Sequence, residues 1–232
     1  MLPLLVHTLA GETFSFPELR HTDILLALGP PGGGKGTDFK HCVGALLERK
    51  SACVITQSAI LTSAQLDSAF SNTHRRIITH SLANDILTPD HIAMNVLGRE
   101  LALRLDSGVK YDFVAIDGGG RSLGQALGLA NSGAKIYVIN LEYSDTDEEL
   151  LLARMQSRAR NPRELDSHYN LQRLRQFEEV TVPGITKLRT LVSSMQWLDV
   201  PCSLEKEERH RLEMQFLNRA FGLVETVEAV AA

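Results

Sequence analysis

Five glycines, a lysine and a threonine fall within nine consecutive residues: Gly29-Pro30-Pro31-Gly32-Gly33-Gly34-Lys35-Gly36-Thr37. An apolar run, Ile24 to Leu28, precedes them, and a segment suited to a helix, Thr37 to Arg49, follows. Glycines let main-chain N–H groups turn inward as a cradle for anionic oxygens. The first turn of the helix adds unpaired N–H groups and the positive end of its dipole. Lys35 contributes a mobile positive charge, and Thr37 a hydroxyl for a phosphate or a magnesium ion. Strand, glycine-rich loop, lysine, hydroxyl and helix together make a phosphate-binding loop. One detail departs from the general pattern: Gly36 stands directly after the lysine and the hydroxyl comes one residue later.

The elements that must hold this loop are legible as alternating apolar runs and helical periodicities. Ala52–Thr56, Phe113–Asp117, Lys135–Leu141 and Trp197–Val200 read as further strands. Helices are expected over Ser58–Phe70, Arg75–Leu82, Thr88–Leu105, Ser122–Ala130, Asp145–Arg158 and Glu205–Leu223, with a long one from Leu165 to Ser193 interrupted near Pro183-Gly184. Thr88-Pro89-Asp90 is a strong helix start, with a hydroxyl cap, a proline in the first turn and then an acid. Apolar strands alternating with helices imply an α/β fold: a three-layer arrangement with a five-stranded parallel sheet covered by helices on both faces. Ligands then sit beyond the carboxyl ends of the strands, where the phosphate loop lies. Asp117, an acid closing an apolar strand, belongs at that edge.

A chain of 232 residues suits one domain, large enough to bury roughly 70–75% of its unfolded surface without staples. The net charge of −4 argues against a nonspecific nucleic-acid coat, so phosphate chemistry must rest on a local cationic patch. Cys42, Cys53 and Cys202 are odd in number and far apart, which points to a reducing, cytoplasmic setting. No apolar run is long enough to cross a bilayer, and Met1–Ala10 lacks the features of a signal peptide. His74, His80 and His91 match no metal-ligand spacing. Residues 1–22 read as an N-terminal extension, fitting either a small hairpin or a loose segment, and the tail after Glu225 (226–232) is expected to fray.

The phosphate loop closely resembles that of the adenylate kinase family, including the Gly-Thr after the lysine. Asp117-Gly118-Gly119-Gly120-Arg121-Ser122 stands where that family has Asp-Gly-Phe-Pro-Arg-Thr, and Gln125 where it has a glutamine. Ile86 to Ile92 looks like the family's Leu-Val-Pro-Asp-Glu-Ile. Arg154 and Arg158 fall on the helix after the fourth strand, and Arg173-Leu174 with Thr181-Val182-Pro183 is similar to a further family pattern. Together these matches span roughly residues 23–200 of a domain running over 23–225.

The resemblance implies a P-loop NTPase fold and phosphoryl transfer from ATP to a nucleoside monophosphate, AMP by default. Gly29, Pro30, Pro31, Gly32, Gly33, Gly34, Lys35, Gly36 and Thr37 would cradle the donor, with Lys35 on its terminal phosphates. Thr37 and Asp117 would organise Mg2+. Arg121 would bind the acceptor's phosphate and Gln125 read its base. Arg154, Arg158 and Arg173 would clamp phosphates, with Arg163 a weaker candidate. The chemistry agrees on its own terms. Phosphoryl transfer asks for positioning and charge neutralisation, which guanidinium forks supply well; residues 154 and 158 are four apart and share one helix face.

Three departures bear on the acceptor. In the acceptor-binding insertion, 57–90, the family's acid and arginine are replaced by Ala59 and Thr62, and Arg75 or Arg76 would have to substitute. Phe-Pro has become Gly119-Gly120, which loosens the loop carrying Arg121. The lid is reduced to 159–164, too short for a zinc-bearing subdomain and a weaker screen against water. A kinase of another small acceptor, or an ATP-binding protein with little transferase activity, therefore stands beside the nucleoside monophosphate kinase. The oligomeric state is not legible.

Overall fold

The computed structural model describes residues 22–159 and 162–223, together with Phe16 and Leu19. The hairpin expected before Phe16 and the tail after Glu225 lie outside the described residues, as do Arg160 and Asn161 of the short lid.

Five strands, β1 (Asp23–Leu28), β2 (Ala52–Thr56), β3 (Phe113–Asp117), β4 (Ile136–Glu142) and β5 (Gln196–Pro201), form one parallel sheet in the order β2-β3-β1-β4-β5. Their side chains alternate between two buried faces, which is why the sequence shows apolar runs rather than alternation. Ile24, Leu26 and Leu28 enter one core, with Ile60, Ile78, Leu97, Leu127 and Leu188. Leu25 and Ala27 enter the other, with Phe39, Val43, Leu46, Leu217 and Phe221.

The first face is covered by α2 (Gln57–Ala64), α3 (Asn72–Asn84), α4 (Asp90–Leu105), α5 (Leu123–Ala130) and α8 (Val182–Leu191). The second carries α1 (Lys35–Leu47) and α9 (Lys206–Ala220), which pack on each other. At the end of the sheet, α6 (Glu148–Ser157) and α7 (Ser167–Gln176) enclose a smaller core of Leu141, Leu151, Met155, Leu174, Val200 and Cys202.

Strand bounds agree with the sequence reading to within about a residue. Three helices differ. The helix expected over 58–70 ends at Ala64, because Gln65–Phe70 curls through turns closed by Asp67, whose Oδ1 accepts from Ala69 N at 2.8 Å. The helix expected from Asp145 begins as a 3-10 turn, Asp145–Asp147. The break expected at Pro183-Gly184 lies earlier: a π-helical turn, Phe177–Thr181, joins α7 to α8. Pro183 then stands just past the π-helical turn, as the second residue of α8.

Candidate active site

β1 lies between β3 and β4, so the chain leaving β1 emerges where successive connections depart to opposite sides of the sheet. That chain is the phosphate loop. Gly32 has φ +81° and Gly34 φ +103°, left-handed values that a side chain resists. A Cβ at Gly32 would also approach Leu151 O to 2.7 Å. Gly33 N donates to Pro30 O at 3.2 Å, closing the turn. Gly34 caps α1, and the amides of Lys35 and Gly36 open its first turn, where N–H groups lack helical partners.

Lys35 folds back over the loop, its Nζ donating to Pro30 O at 3.0 Å. It lines a cleft shared with Gly29, Pro30, Pro31, Gly32, Gly34 and Gly36 from the loop, Asp117 and Arg121 from the end of β3 and the turn after it, Arg158 from the end of α6 and Arg173 from α7. Lys35, Arg121, Arg158 and Arg173 face only two acids among the lining residues, Asp85 and Asp117. Burial is the main cause that depresses the Lys35 ammonium to about 7; Arg121, Arg158 and Arg173 push the same way, and Asp117 opposes. Burial likewise lowers Arg121, with Asp117 and Asp85 opposing, although the guanidinium stays charged. As a whole residue Arg121 is exposed at the cleft mouth; its tip is the crowded part, with Nη2 3.3 Å from where a Gly118 Cβ would stand.

The loop carrying Arg121 is not slack. Gly118 and Gly120 have φ of +75° and +70°, and the chain is tied down just beyond them. Gln125 Oε1 accepts from Arg121 N at 3.2 Å, and Gln125 Nε2 donates to Asp90 Oδ1 at 3.3 Å. Ser122 Oγ donates to the same Asp90 oxygen at 2.5 Å and accepts from Gln125 N, capping α5. Gln125 is thus buried, with its side-chain amide bonded to the Arg121 N–H and to Asp90. Asp90 and Ser122 both lie within the quoted family matches, Ile86 to Ile92 and Asp117 to Ser122, but neither received a role of its own there.

Other candidates fall elsewhere. Arg154 turns from the cleft, its Nη1 donating to Cys202 O at 2.8 Å, so it does not join Arg158 even though the two share a helix face in sequence. Thr37 is exposed on the first turn of α1 and is not among the cleft-lining residues. Arg163 bonds Ala83 O. Arg75 bonds Asn72 on the exposed side of α3, and neither it nor Arg76 lines the cleft. Arg173 is held by Glu164 at 3.0 Å and lies over the Tyr169 ring. In the acceptor segment, Thr56 and Ser58 line the cleft, while Gln57 is buried, donates to Ala93 O at 3.3 Å and keeps Oε1 without a partner.

No family model and no curated protein sequence matches this chain. Solved structures do. A gluconokinase from Sinorhizobium meliloti 1021 matches at 18% identity with a TM-score of 0.53, over 87% of this chain and 94% of its own. A sugar kinase from Janibacter sp. HTCC2649 matches at 17% identity and TM-score 0.53, over 88% and 98% respectively. Shikimate kinase from Bacteroides thetaiotaomicron matches at 15% identity and TM-score 0.50, over 86% and 98%. The narrower likeness to adenylate kinases rests on the sequence motifs alone. What the parallel sheet, its strand order and these matches establish together is that the chain has the fold of the P-loop kinases.

Proposed function

We propose that this protein is an ATP-dependent phosphotransferase acting on a small acceptor. The observation that carries the reading is the convergence of Lys35, Arg121, Arg158 and Arg173 on one cleft floored by the phosphate loop. A transferring phosphoryl group spreads negative charge over its oxygens, and fixed cations around it stabilise that charge with no need for a protein nucleophile. Lys35 and the loop amides hold the donor's phosphates. Arg121 meets the acceptor, and Arg158 and Arg173 close on the transferred group from the end of α6 and from α7. Asp117 is a hard oxygen donor lining the cleft, of the kind that fits magnesium, and such an ion would neutralise the terminal phosphates; Thr37, outside the cleft lining, would have to turn inward to join it.

The family resemblance makes a nucleoside monophosphate the default acceptor. Three observations favour a small hydroxyl-bearing acid instead. Gln125, the expected reader of a base, is tied to Asp90 and to the Arg121 amide. The cleft holds two carboxylates, Asp85 and Asp117; an alcohol has a proton to lose to such a base, whereas a phosphate acceptor does not need one. The solved structures of similar fold are described as gluconokinase, sugar kinase and shikimate kinase. The arginines suit the acid group of such an acceptor as well as they suit a phosphate.

A coupled assay of ADP release, run across nucleoside monophosphates, sugars and hydroxy acids with Mg·ATP, tests the reading. Turnover dependent on one hydroxylated acceptor is expected. Turnover with AMP alone returns the acceptor to a nucleotide, and ATP binding without any acceptor-dependent turnover leaves a nucleotide-binding protein.

A further inference from the structure

Behind the phosphate loop, on the side away from the cleft, a second constellation joins the start of α1 to α9. Asp38, next to Thr37, is 2% exposed, and Glu213 is 0% exposed. Arg209 pairs with Asp38, its Nε donating to Oδ2 at 3.0 Å and its Nη2 to Oδ1 at 3.3 Å. Its Nη1 serves the carbonyls of Leu204 at 2.7 Å and Cys202 at 3.4 Å. His210 Nε2 lies 3.2 Å from Asp38 Oδ1, and its ring is stacked on His41 with centroids 3.8 Å apart. Glu213 Oε2 accepts from Cys42 Sγ at 3.4 Å, while Glu213 Oε1 has no hydrogen-bond partner.

Two carboxylates are therefore buried with one guanidinium, and that guanidinium is spent on Asp38 and two carbonyls. A buried carboxylate oxygen with no donor is costly unless a proton or a bound cation neutralises the group. One ligand atom each from Asp38, His210 and Glu213 lies within 4.8 Å of the others. Zinc bonds of about 2.0–2.1 Å to nitrogen and oxygen place neighbouring ligands of a tetrahedron about 3.3–3.4 Å apart. The Asp38–His210 spacing of 3.2 Å is already that of such an edge, and the Glu213 ligand atom lies within 4.8 Å of both. Arg209 stands where an outer partner of a metal site belongs, hydrogen-bonded to the Asp38 carboxylate, and the His210 ring is held by stacking on His41.

We propose that Asp38, His210 and Glu213 form a binding site for a divalent cation of the zinc class, clamping α9 to the base of the phosphate loop. Mixed imidazole and carboxylate donors suit zinc or cobalt rather than magnesium, which separates this site from the oxygen donors Thr37 and Asp117. The ion binds to neutral His210 and to both carboxylates, and any proton held by Glu213 leaves to solvent. The site is independent of the kinase reading, since none of its three ligands lines the cleft.

The test uses full-length protein stripped with chelator and titrated with Zn2+ or Co2+ in millimolar Mg2+. One equivalent is expected to bind, raise the melting temperature, and give Co2+ the strong visible absorption of a four-coordinate site. His210→Gln and Glu213→Gln should each weaken binding roughly tenfold or more, whereas Lys35→Ala should leave stoichiometry and affinity unchanged. His210 lies near the surface, so its variant remains informative should Glu213→Gln fail to fold. No binding in excess Mg2+, or equal affinity in the wild type and the His210 variant, overturns the proposal. Failure of the acceptor assay alone does not touch it.

Discussion

At the scale of single residues, Lys35 has the clearest thermodynamic signature. Its ammonium sits at about 7 in the folded protein, against 10.5 for an ordinary lysine. Between these values the unfolded chain binds a proton that the folded chain does not, so the nucleotide-free protein gains stability as pH rises through that window; below it the penalty is present in full. Lys35→Met removes the penalty. The expected outcome is a higher melting temperature than wild type near pH 6.5, with the gap closing toward pH 10, and a fall in turnover of about 10²–10³. Scanning calorimetry and the coupled assay check the two halves. Turnover equal to wild type would sink the role assigned to the lysine. Arg121 acts on the other substrate: Arg121→Ala should raise the acceptor's KM more than that of ATP, and initial rates with each substrate varied in turn decide it. Equal increases would place the arginine on the donor.

At the scale of elements, what matters is how a glycine-rich connection is made stiff. Gly118 and Gly120 permit the turn after β3, and on their own would leave Arg121 mobile. The start of α5 prevents this, because Ser122 and Gln125 both reach Asp90 at the start of α4. Two helices from different parts of the chain thus fix one loop. A misplacement of about 1 Å in such a site can cost about 10² in rate. Asp90→Ala should therefore reproduce the Arg121 phenotype, with acceptor KM rising about tenfold or more while ATP affinity, measured by calorimetry, stays near wild type. A parallel loss of ATP affinity would show that the effect spreads through the fold. The π-helical turn between α7 and α8 has a similar positioning effect, since it brings Phe177 and Thr181 to the cleft wall.

At the scale of the whole molecule, the sheet gathers the working residues at one edge, and α9 supports that edge from behind. Arg209 ties α9 to Asp38 and to the carbonyls following β5, and its Nη2 lies 2.9 Å from the position a Gly34 Cβ would take. Removing one partner of a buried pair leaves the other charge uncompensated, typically at about 3–5 kcal/mol. In chelator-stripped protein, Arg209→Ala should lower the stability of the whole domain by about that amount, read from urea denaturation. A change under about 1 kcal/mol would mean that water or rearrangement satisfies Asp38. Among the described residues no helix is long and apolar enough to cross a membrane.

Local order was legible in the chain because local rules set it. Gly32, Gly34, Lys35 and the run Ile24–Leu28 announce a phosphate loop behind a buried strand. The five apolar runs announce a parallel sheet, since a strand buried on both faces has no polar side to show. What the chain could not disclose was partnership across distance. Arg154 and Arg158 share a helix face in sequence, yet Cys202 O takes the first while the cleft keeps the second. Gln125 carries the type and position of a base reader, yet Asp90, 35 residues away, commits it to holding Arg121. His210 and Glu213 stand three apart on α9, but Asp38 lies more than 170 residues away from both, so the sequence does not bring the three together. A side chain's role depends on which neighbours compete for its hydrogen bonds and charge, and those neighbours are chosen by packing of the two helical layers on the sheet.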